Sequence, residues 1–110
     1  YAEESVMQAI NTAIILTKND SIKEMVRIAA INAWGESEWT AMEELIQRES
    51  RWNPHAVNST SGACGLFQSI NCDYNMDNTA EQIEWGINYI KSRYNLPSVA
   101  LRFHNIHNWY

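Results

Sequence analysis

Apolar residues recur at intervals of three and four along the first half of the chain, which is the spacing of one face of an α-helix. The first such segment covers residues 3–18. The second follows the capping-box sequence Ser21-Ile-Lys-Glu24 and continues to Trp34. A third follows Thr40, which opens another capping box, and ends before Pro54, which cannot continue a helix. The pattern therefore predicts three helices in the first half.

The second half predicts two more helices after a stretch without regular periodicity. A long amphipathic helix follows a capping box at Thr79 and ends at Asn95, and a short helix runs from Pro97 through Phe103. Strand-like alternation of useful length is absent from the sequence. We therefore predict an all-α fold, with at most a short hairpin within residues 53–77.

The length and charge of the chain limit its organisation and its partners. We predict that the 110 residues form one domain, with residues 1–39 as N-terminal helices and residues 40–110 as the part that carries the chemistry. The formal net charge of −5 and the lack of a Lys/Arg cluster argue against nucleic acid as a partner. No apolar run approaches the ~20 residues of a membrane span. The chain opens on Tyr1 without a signal-peptide pattern, which is typical of a piece of a longer or processed protein.

Two cysteines, Cys64 and Cys72, flank a seven-residue loop. They could form a disulfide in an oxidising compartment or remain reduced thiols in a reducing one, and the sequence leaves both states open. A zinc site built from these cysteines and the histidines is disfavoured because no close Cys-x-x-Cys pair is present. We expect no metal and no cofactor.

Glu49 occupies an unusual position on the third predicted helix. It follows Met42, Leu45 and Ile46 at the spacing of the apolar face, where the next core residue is expected. Burial and the negative end of the helix dipole both disfavour a carboxylate there, so we predict a raised pKa, as a general acid near neutral pH requires. The alternatives are that Glu49 pairs with Arg48 or Arg51, or extends into solvent.

The segment from Asn53 to Cys72 is the most unusual in composition, because its twenty residues include no Asp, Glu, Lys or Arg. Its small residues allow a ligand to approach the backbone, and Gln68 offers both a donor and an acceptor, as a sugar requires. Aromatic residues could supply flat faces for sugar rings, although aromatics at helical spacing more often belong to a core. The candidates are Trp52, Tyr89, Tyr94 and Trp109.

Several of these residues lie in motifs that resemble a known family. The motifs Glu49-Ser50, Asn53-Pro54-x-Ala56 and Ser61-Gly-Ala-x-Gly-Leu-x-Gln68 resemble the signature of lytic transglycosylase catalytic domains of the lysozyme-like superfamily. On the long helix, Gly86-x-x-Tyr89-Ile is similar to the Gly-x-x-Tyr-Leu of those domains, and the resemblance covers roughly residues 40–110. The closing His-Asn-Trp-Tyr resembles the version in phage tail tape-measure proteins and secreted wall hydrolases of Gram-positive bacteria and their phages.

The resemblance implies a lysozyme-like fold and roles for particular residues. It makes Glu49 the catalytic acid and assigns substrate contacts to Gln68 and Tyr89, with Ser50 and Ser61 as further contacts. It also implies that peptidoglycan strands are the substrate and that the enzyme acts outside the cell, at the wall or in a phage tail, as part of a larger protein.

The resemblance departs from the family near the C-terminus. Related enzymes show Ala-Tyr-Asn-Ala-Gly where this chain has the six residues 100–105, so that Phe103 or His104 stands in place of the tyrosine. A histidine there would add a pH dependence that a tyrosine would not. We include His104 and Trp109 among the predicted substrate contacts.

The reaction implied by the resemblance is cleavage of the MurNAc–GlcNAc β-1,4 bond without a second carboxylate. The N-acetyl group of the muramic acid attacks its own anomeric carbon and yields a 1,6-anhydro product, while Glu49 serves first as acid and then as base. One alternative is a hydrolysing muramidase that uses a second carboxylate, with Glu38, Asp73 and Asp77 as candidates outside the motifs. Another is a structural module that binds glycan without cleaving it.

Overall fold

A computed structural model describes residues 18–110, and over this range the protein is built from four α-helices. The first predicted helix, residues 3–18, lies outside the described residues except for its last position. The helices are α1 (Lys18–Trp34), α2 (Trp39–Ser50), α3 (Thr79–Arg93) and α4 (Pro97–His107). A short 3-10 helix, Glu36–Glu38, connects α1 to α2. The all-α fold predicted from the apolar periodicity is confirmed.

The two capping boxes predicted in the first half do not mark helix starts. Helix α1 already includes the three residues that precede Ser21. Helix α2 begins one residue before Thr40, and no side-chain hydrogen bond caps it. The 3-10 helix leads directly into α2, and the backbone N–H of Trp39 donates to the Glu36 carbonyl. Because the chain is already helical where it enters α2, no side-chain cap is needed there.

The capping box predicted at Thr79 is also wrong, by one residue. The cap of α3 is Asn78, whose side chain accepts a hydrogen bond from the backbone N–H of Glu81 at 3.0 Å. Asparagine is the stronger capping residue because its side chain reaches the exposed N–H groups without strain. The residue predicted to complete that box, Gln82, is fully buried and bonds to other segments.

Helix α4 is longer than predicted. It begins with Pro97 at its first turn, as expected, but continues past Phe103 to His107 and ends where Asn108 adopts a left-handed conformation with φ of 62°. The Glu38 carboxylate accepts a hydrogen bond from the backbone N–H of Ser98 at 2.8 Å and so satisfies a donor at the start of this helix. The extra turn places His104 inside the helix.

The hydrophobic core lies where the four helices meet. Helix α2 packs chiefly against α4, and α1 packs against α2 and α3. None of the described helices combines the length and the apolar content that crossing a bilayer requires. Most core positions predicted on α1, α2 and α3 are buried, whereas Ile87 and Tyr94, predicted on the same face of α3, are only partly buried. The buried ones include Ile22, Val26, Met42, Leu45, Ile46, Ile83 and Ile90.

The segment between α2 and α3 has no strand of more than an isolated bridge. Two antiparallel bridges, Val57 with Cys64 and Cys64 with Ser69, are all that the structure shows of the predicted hairpin. Cys64 and Cys72 form a disulfide, with their Cα atoms 5.4 Å apart. Of the two states left open by the sequence, the structure therefore shows the oxidised one, and the two sulfurs are not available as zinc ligands. Among the described residues, no group of three His, Cys, Asp or Glu side chains could hold a metal ion.

Candidate active site

Glu49 lies in the last turn of α2 with its side chain only 11% exposed. Burial raises its pKa to about 7, as its position on the apolar face of the helix predicted. Its nearest polar neighbour is His104, whose Nε2 lies 2.7 Å from Oε1 of Glu49. The contact lacks the angles of a hydrogen bond, and within residues 18–110 Oε1 has no hydrogen-bond partner. Glu49 is thus a largely buried carboxyl of which a substantial fraction is protonated at neutral pH.

The alternative interpretations of Glu49 do not hold. Arg48 pairs with Glu44 at 2.9 Å and also donates to the side chain of Asn105. No Lys or Arg in the described part of the chain lies within ion-pair distance of Glu49. The carboxyl is therefore neither neutralised by an arginine nor extended into solvent.

His104 reaches Glu49 from α4. Its ring is buried, and Nδ1 has no hydrogen-bond partner among residues 18–110. Burial lowers the pKa of His104, and the charge of Arg48 lowers it further. These two effects favour a neutral imidazole beside a protonated carboxyl. The structure shows His104 in contact with Glu49, and its role as a substrate contact stays a prediction.

Three tyrosines lie close enough to Glu49 for its charge to act on them. Burial is the main reason that the pKa values of Tyr74, Tyr89 and Tyr110 are raised, and the Glu49 carboxylate adds a smaller effect in the same direction. The Tyr110 hydroxyl donates to the Phe67 carbonyl at 2.8 Å, and the Tyr89 hydroxyl donates to the Tyr110 carbonyl at 3.0 Å. Tyr110 therefore joins α3 to the loop beside the acid.

A cavity of about 230 Å³ opens beside this cluster. Gln68 and Tyr89, both predicted from the sequence, line it, and so does Tyr110. Tyr89 and Tyr110 therefore connect the cavity to Glu49: both line the cavity, and the charge of Glu49 contributes to the raised pKa of each. The remaining lining residues are Phe67, Ser69, Ile70, Asn71, Asp73, Trp85 and Arg93.

The other predicted contact residues lie outside the cavity lining. Ser50 is buried, and its hydroxyl donates to the Ile46 carbonyl at 3.3 Å. Ser61 is exposed and accepts a hydrogen bond from the backbone N–H of Ala63 at 3.2 Å. Trp109 is 50% exposed and packs edge-on against Phe103. Their roles as substrate contacts stay predictions.

Two glutamines hold the loop that lines the cavity. Gln68 donates to the carbonyls of Gly65 and Ala56 at 2.9 and 3.2 Å. Gln82 accepts from the Leu66 N–H at 2.8 Å and donates to the carbonyls of Pro54 and Met76 at 3.0 Å. The role of Gln82 does not follow from the predicted capping box, although its place beside Ile83 on the apolar face of the helix was an available signal.

The second-carboxylate candidates lie in different environments. Glu38 caps α4, and Asp77 forms an exposed pair with His55 at 2.9 Å. Asp73 lines the cavity, where its Oδ2 accepts from the Ser69 hydroxyl at 2.9 Å. Of the three, Asp73 is therefore the one on the cavity.

The family model for the Transglycosylase SLT domain matches residues 26–100, which include Glu49 and every cavity residue except Tyr110. The chain belongs to this family. The match begins earlier than the resemblance noted in the sequence and ends before His104 and the closing Trp-Tyr. No curated protein and no solved structure gave a significant match to the chain. Membership makes the protein a transglycosylase-type enzyme of peptidoglycan, with a lysozyme-like fold.

Proposed function

We propose that the protein is a lytic transglycosylase that cleaves the MurNAc–GlcNAc β-1,4 bond with Glu49 as its single catalytic carboxyl. The observation that carries the proposal is the buried Glu49 side chain, whose pKa of about 7 keeps a proton available at neutral pH. The adjacent cavity, lined by Gln68 and Tyr89, offers polar and flat apolar contacts to a sugar chain.

The proposed reaction needs one carboxyl because the substrate supplies the nucleophile. Glu49 donates its proton to the glycosidic oxygen, and the bond from that oxygen to the muramyl anomeric carbon breaks. The carbonyl oxygen of the N-acetyl group bonds to that carbon and forms an oxazolinium ion. The Glu49 carboxylate then removes the proton of the muramyl O6 hydroxyl. The O6 oxygen attacks the anomeric carbon, and the bond from that carbon to the acetyl oxygen breaks, which opens the oxazolinium ring. The product is the 1,6-anhydro sugar, and Glu49 regains its proton.

A hydrolysing muramidase is the second candidate function, and one observation favours it. Asp73 lies on the cavity lining, where a carboxylate could act across the sugar from the acid. Its carboxyl accepts from the Ser69 hydroxyl and is exposed to solvent, where a water molecule can reach it. The two candidates differ in whether solvent oxygen enters the product.

Digestion of purified peptidoglycan in ¹⁸O-labelled water tests both candidates. We expect unlabelled anhydro-muramyl ends from the unsubstituted protein and from Asp73→Asn, and no cleavage by Glu49→Gln. Asp77→Asn is the matched control because Asp77 is an exposed carboxylate outside the cavity lining. Labelled reducing ends that disappear in Asp73→Asn would establish the muramidase. If neither the unsubstituted protein nor Glu49→Gln cleaves and both bind glycan, the protein is a binding module.

We further propose that the enzyme acts outside the reducing cytoplasm, in a larger secreted or phage-tail protein. The Cys64–Cys72 disulfide supports this because such bonds persist in oxidising compartments. Alkylation of the full-length protein before extraction from culture medium or virions, followed by intact mass analysis, tests the proposal. Reduced cysteines on protein that is confined to the cytosol would contradict it.

A further inference from the structure

Among residues 18–110, Arg93 is the one cationic residue that lines the cavity. It lies in the last turn of α3 and is exposed. Its guanidinium carbon lies 5.9, 5.7 and 5.8 Å from the ring centres of Tyr89, Tyr94 and Trp109, and Nε donates to the Tyr94 hydroxyl at 3.1 Å. Cations over aromatic faces at such distances are attracted to the rings. The three rings therefore hold the guanidinium beside the cavity.

The guanidinium has no acidic partner among the residues that the structure describes. Asp73 also lines the cavity, but the structure shows no Asp or Glu within ion-pair distance of Arg93 over residues 18–110. Nε donates to Tyr94, and the Tyr89 hydroxyl also interacts with the guanidinium and raises the pKa of Arg93, which leaves most of the donors on the two terminal nitrogens for a ligand. A guanidinium with free paired donors matches a carboxylate, because both groups are planar and can bond through two atoms each.

We propose that Arg93 binds a carboxylate carried by the muramyl residue, either its lactyl carboxylate or one on the peptide attached there. The inference rests on the proposed function, since it concerns the same cavity and the same glycan. Muramyl sugars differ from those of chitin by a lactyl group that ends in a carboxylate or in a peptide with carboxylates of its own. On a protein of net charge −5, one accessible cation at the cavity then distinguishes an anionic wall glycan from a neutral one.

A purely structural role for Arg93 would give a different result. A basic residue near the end of a helix also complements the helix dipole, and the stacked rings could use the side chain only as packing. Lys91 shares the last turn of α3 and is exposed, but it does not line the cavity. The substitution Lys91→Gln therefore removes the same charge from the same helix end and serves as the matched control.

Binding measured without turnover tests the proposal. In a Glu49→Gln background, calorimetric titrations would use three ligands: a disaccharide of GlcNAc and MurNAc with a free lactyl carboxylate, muramyl dipeptide, and chitotriose. We expect Arg93→Gln to weaken binding of at least one carboxylate ligand about tenfold and to leave chitotriose unchanged. Whichever of the two carboxylate ligands loses affinity identifies the source of the carboxylate. Lys91→Gln should leave all three affinities unchanged.

Several outcomes would overturn the proposal. Equal losses for charged and neutral ligands in Arg93→Gln would show a structural role, as would losses of the same size in Lys91→Gln. The proposal would also be overturned if the Glu49→Gln protein with Arg93 intact bound the carboxylate ligands no better than chitotriose. If Arg93→Gln unfolds, Arg93→Lys retains the charge without the paired donors and should bind the carboxylate ligands with intermediate affinity. Because no cleavage is measured, the outcome is independent of the ¹⁸O experiment that tests the proposed function.

Discussion

Oε1 of Glu49 and Nε2 of His104 lie 2.7 Å apart, and each side chain is only 11% exposed. Burial raises the pKa of Glu49 to about 7 and lowers the pKa of His104. Both shifts disfavour the charged form, so a carboxylic acid beside a neutral imidazole is favoured over a carboxylate beside an imidazolium. Titratable groups at this distance are able to act on each other's protonation. His104 is therefore the described residue best placed to act on the proton of Glu49.

The first prediction concerns stability and the titration of Glu49. Burial raises its pKa from 4.5 to about 7, so the folded protein holds this proton more tightly than the unfolded chain does. The resulting loss of stability is absent below about pH 4.5, grows between pH 4.5 and 7, and is complete above pH 7. Glu49→Gln removes it, so we expect the free energy of unfolding to rise by about 2 kcal/mol at pH 8.5.

The expected rise is smaller than the free energy that corresponds to the whole pKa shift, because the carboxyl is partly hydrated. Urea unfolding at pH 4 and pH 8.5 measures it, and the Gln variant should differ from the unsubstituted protein much less at pH 4. Glu84→Gln, at an exposed carboxyl on α3, is the control and should change stability by less than about 0.5 kcal/mol at either pH. An equal effect of Glu49→Gln at both pH values would contradict a raised pKa.

The second prediction concerns His104 and the pH dependence of cleavage. We expect the rate to fall as pH rises through about 7, because the carboxyl must carry the proton that it donates. Within residues 18–110, His104 is the one group less than 4.0 Å from Glu49 that can become a cation, and an imidazolium there favours the carboxylate; His104→Gln should therefore raise the pKa of Glu49. A weaker acid donates its proton more slowly, and we expect kcat to fall about tenfold while the alkaline limb moves to higher pH.

The control for His104 lies on the same helix. His107→Gln makes the same change at an exposed position whose ring packs on Phe103 rather than on Glu49. It should leave both kcat and the alkaline limb in place. A fall in kcat without any movement of the pH profile of His104→Gln would indicate that His104 only packs beside the acid.

The sequence contained enough information for the class of fold and for the environment of Glu49. The interval from Met42 through Ile46 to Glu49 places a carboxyl on a buried helix face, and the structure shows its side chain only 11% exposed there, with a raised pKa. The helices were predictable because their apolar faces repeat with the helical period. The uncharged segment was correctly expected to be a loop, and its residue Gln68 lines the cavity.

The parts that the sequence did not reveal depend on contacts between distant segments. Gln82 has the spacing of a capping box, yet it bonds to three separate stretches of the loop, which no local pattern encodes. His104 reaches Glu49 because α4 runs one turn further than the pattern predicted. Tyr110 is buried beside the acid although its neighbour Trp109 is half exposed. These placements follow from packing, which periodicity within one helix does not specify.

The third prediction compares two glycines of the loop. Gly62 and Gly65 have positive φ values of 77° and 80°, so alanine is strained at both positions. A Cβ at Gly62 would meet nothing within 4 Å, whereas one at Gly65 would clash with Tyr74 and Gln82. We expect Gly62→Ala to cost about 1 kcal/mol and Gly65→Ala about 2–4 kcal/mol, because the second also displaces buried side chains.

Thermal unfolding of both glycine variants measures the difference. Gly65→Ala should also reduce cleavage, because Gln82 holds the Leu66 N–H beside the cavity residue Phe67. Gly62→Ala should keep nearly full activity, since its neighbourhood is open. Equal losses in the two variants would mean that backbone strain alone, and not the close packing at Gly65, determines the effect.

The fourth prediction concerns the Cys64–Cys72 disulfide, which encloses the loop residues Phe67 and Gln68 that line the cavity. Closing a loop of this length stabilises a protein by about 2–3 kcal/mol through the unfolded chain, so reduction should lower the free energy of unfolding by that amount. We also expect weaker binding of glycan, because the loop loses a covalent restraint on the cavity wall. Unfolding and glycan titrations with and without dithiothreitol measure both effects. The double variant Cys64→Ala/Cys72→Ala should match the reduced protein and show no response to dithiothreitol, and a response in that variant would show that the reductant acts elsewhere.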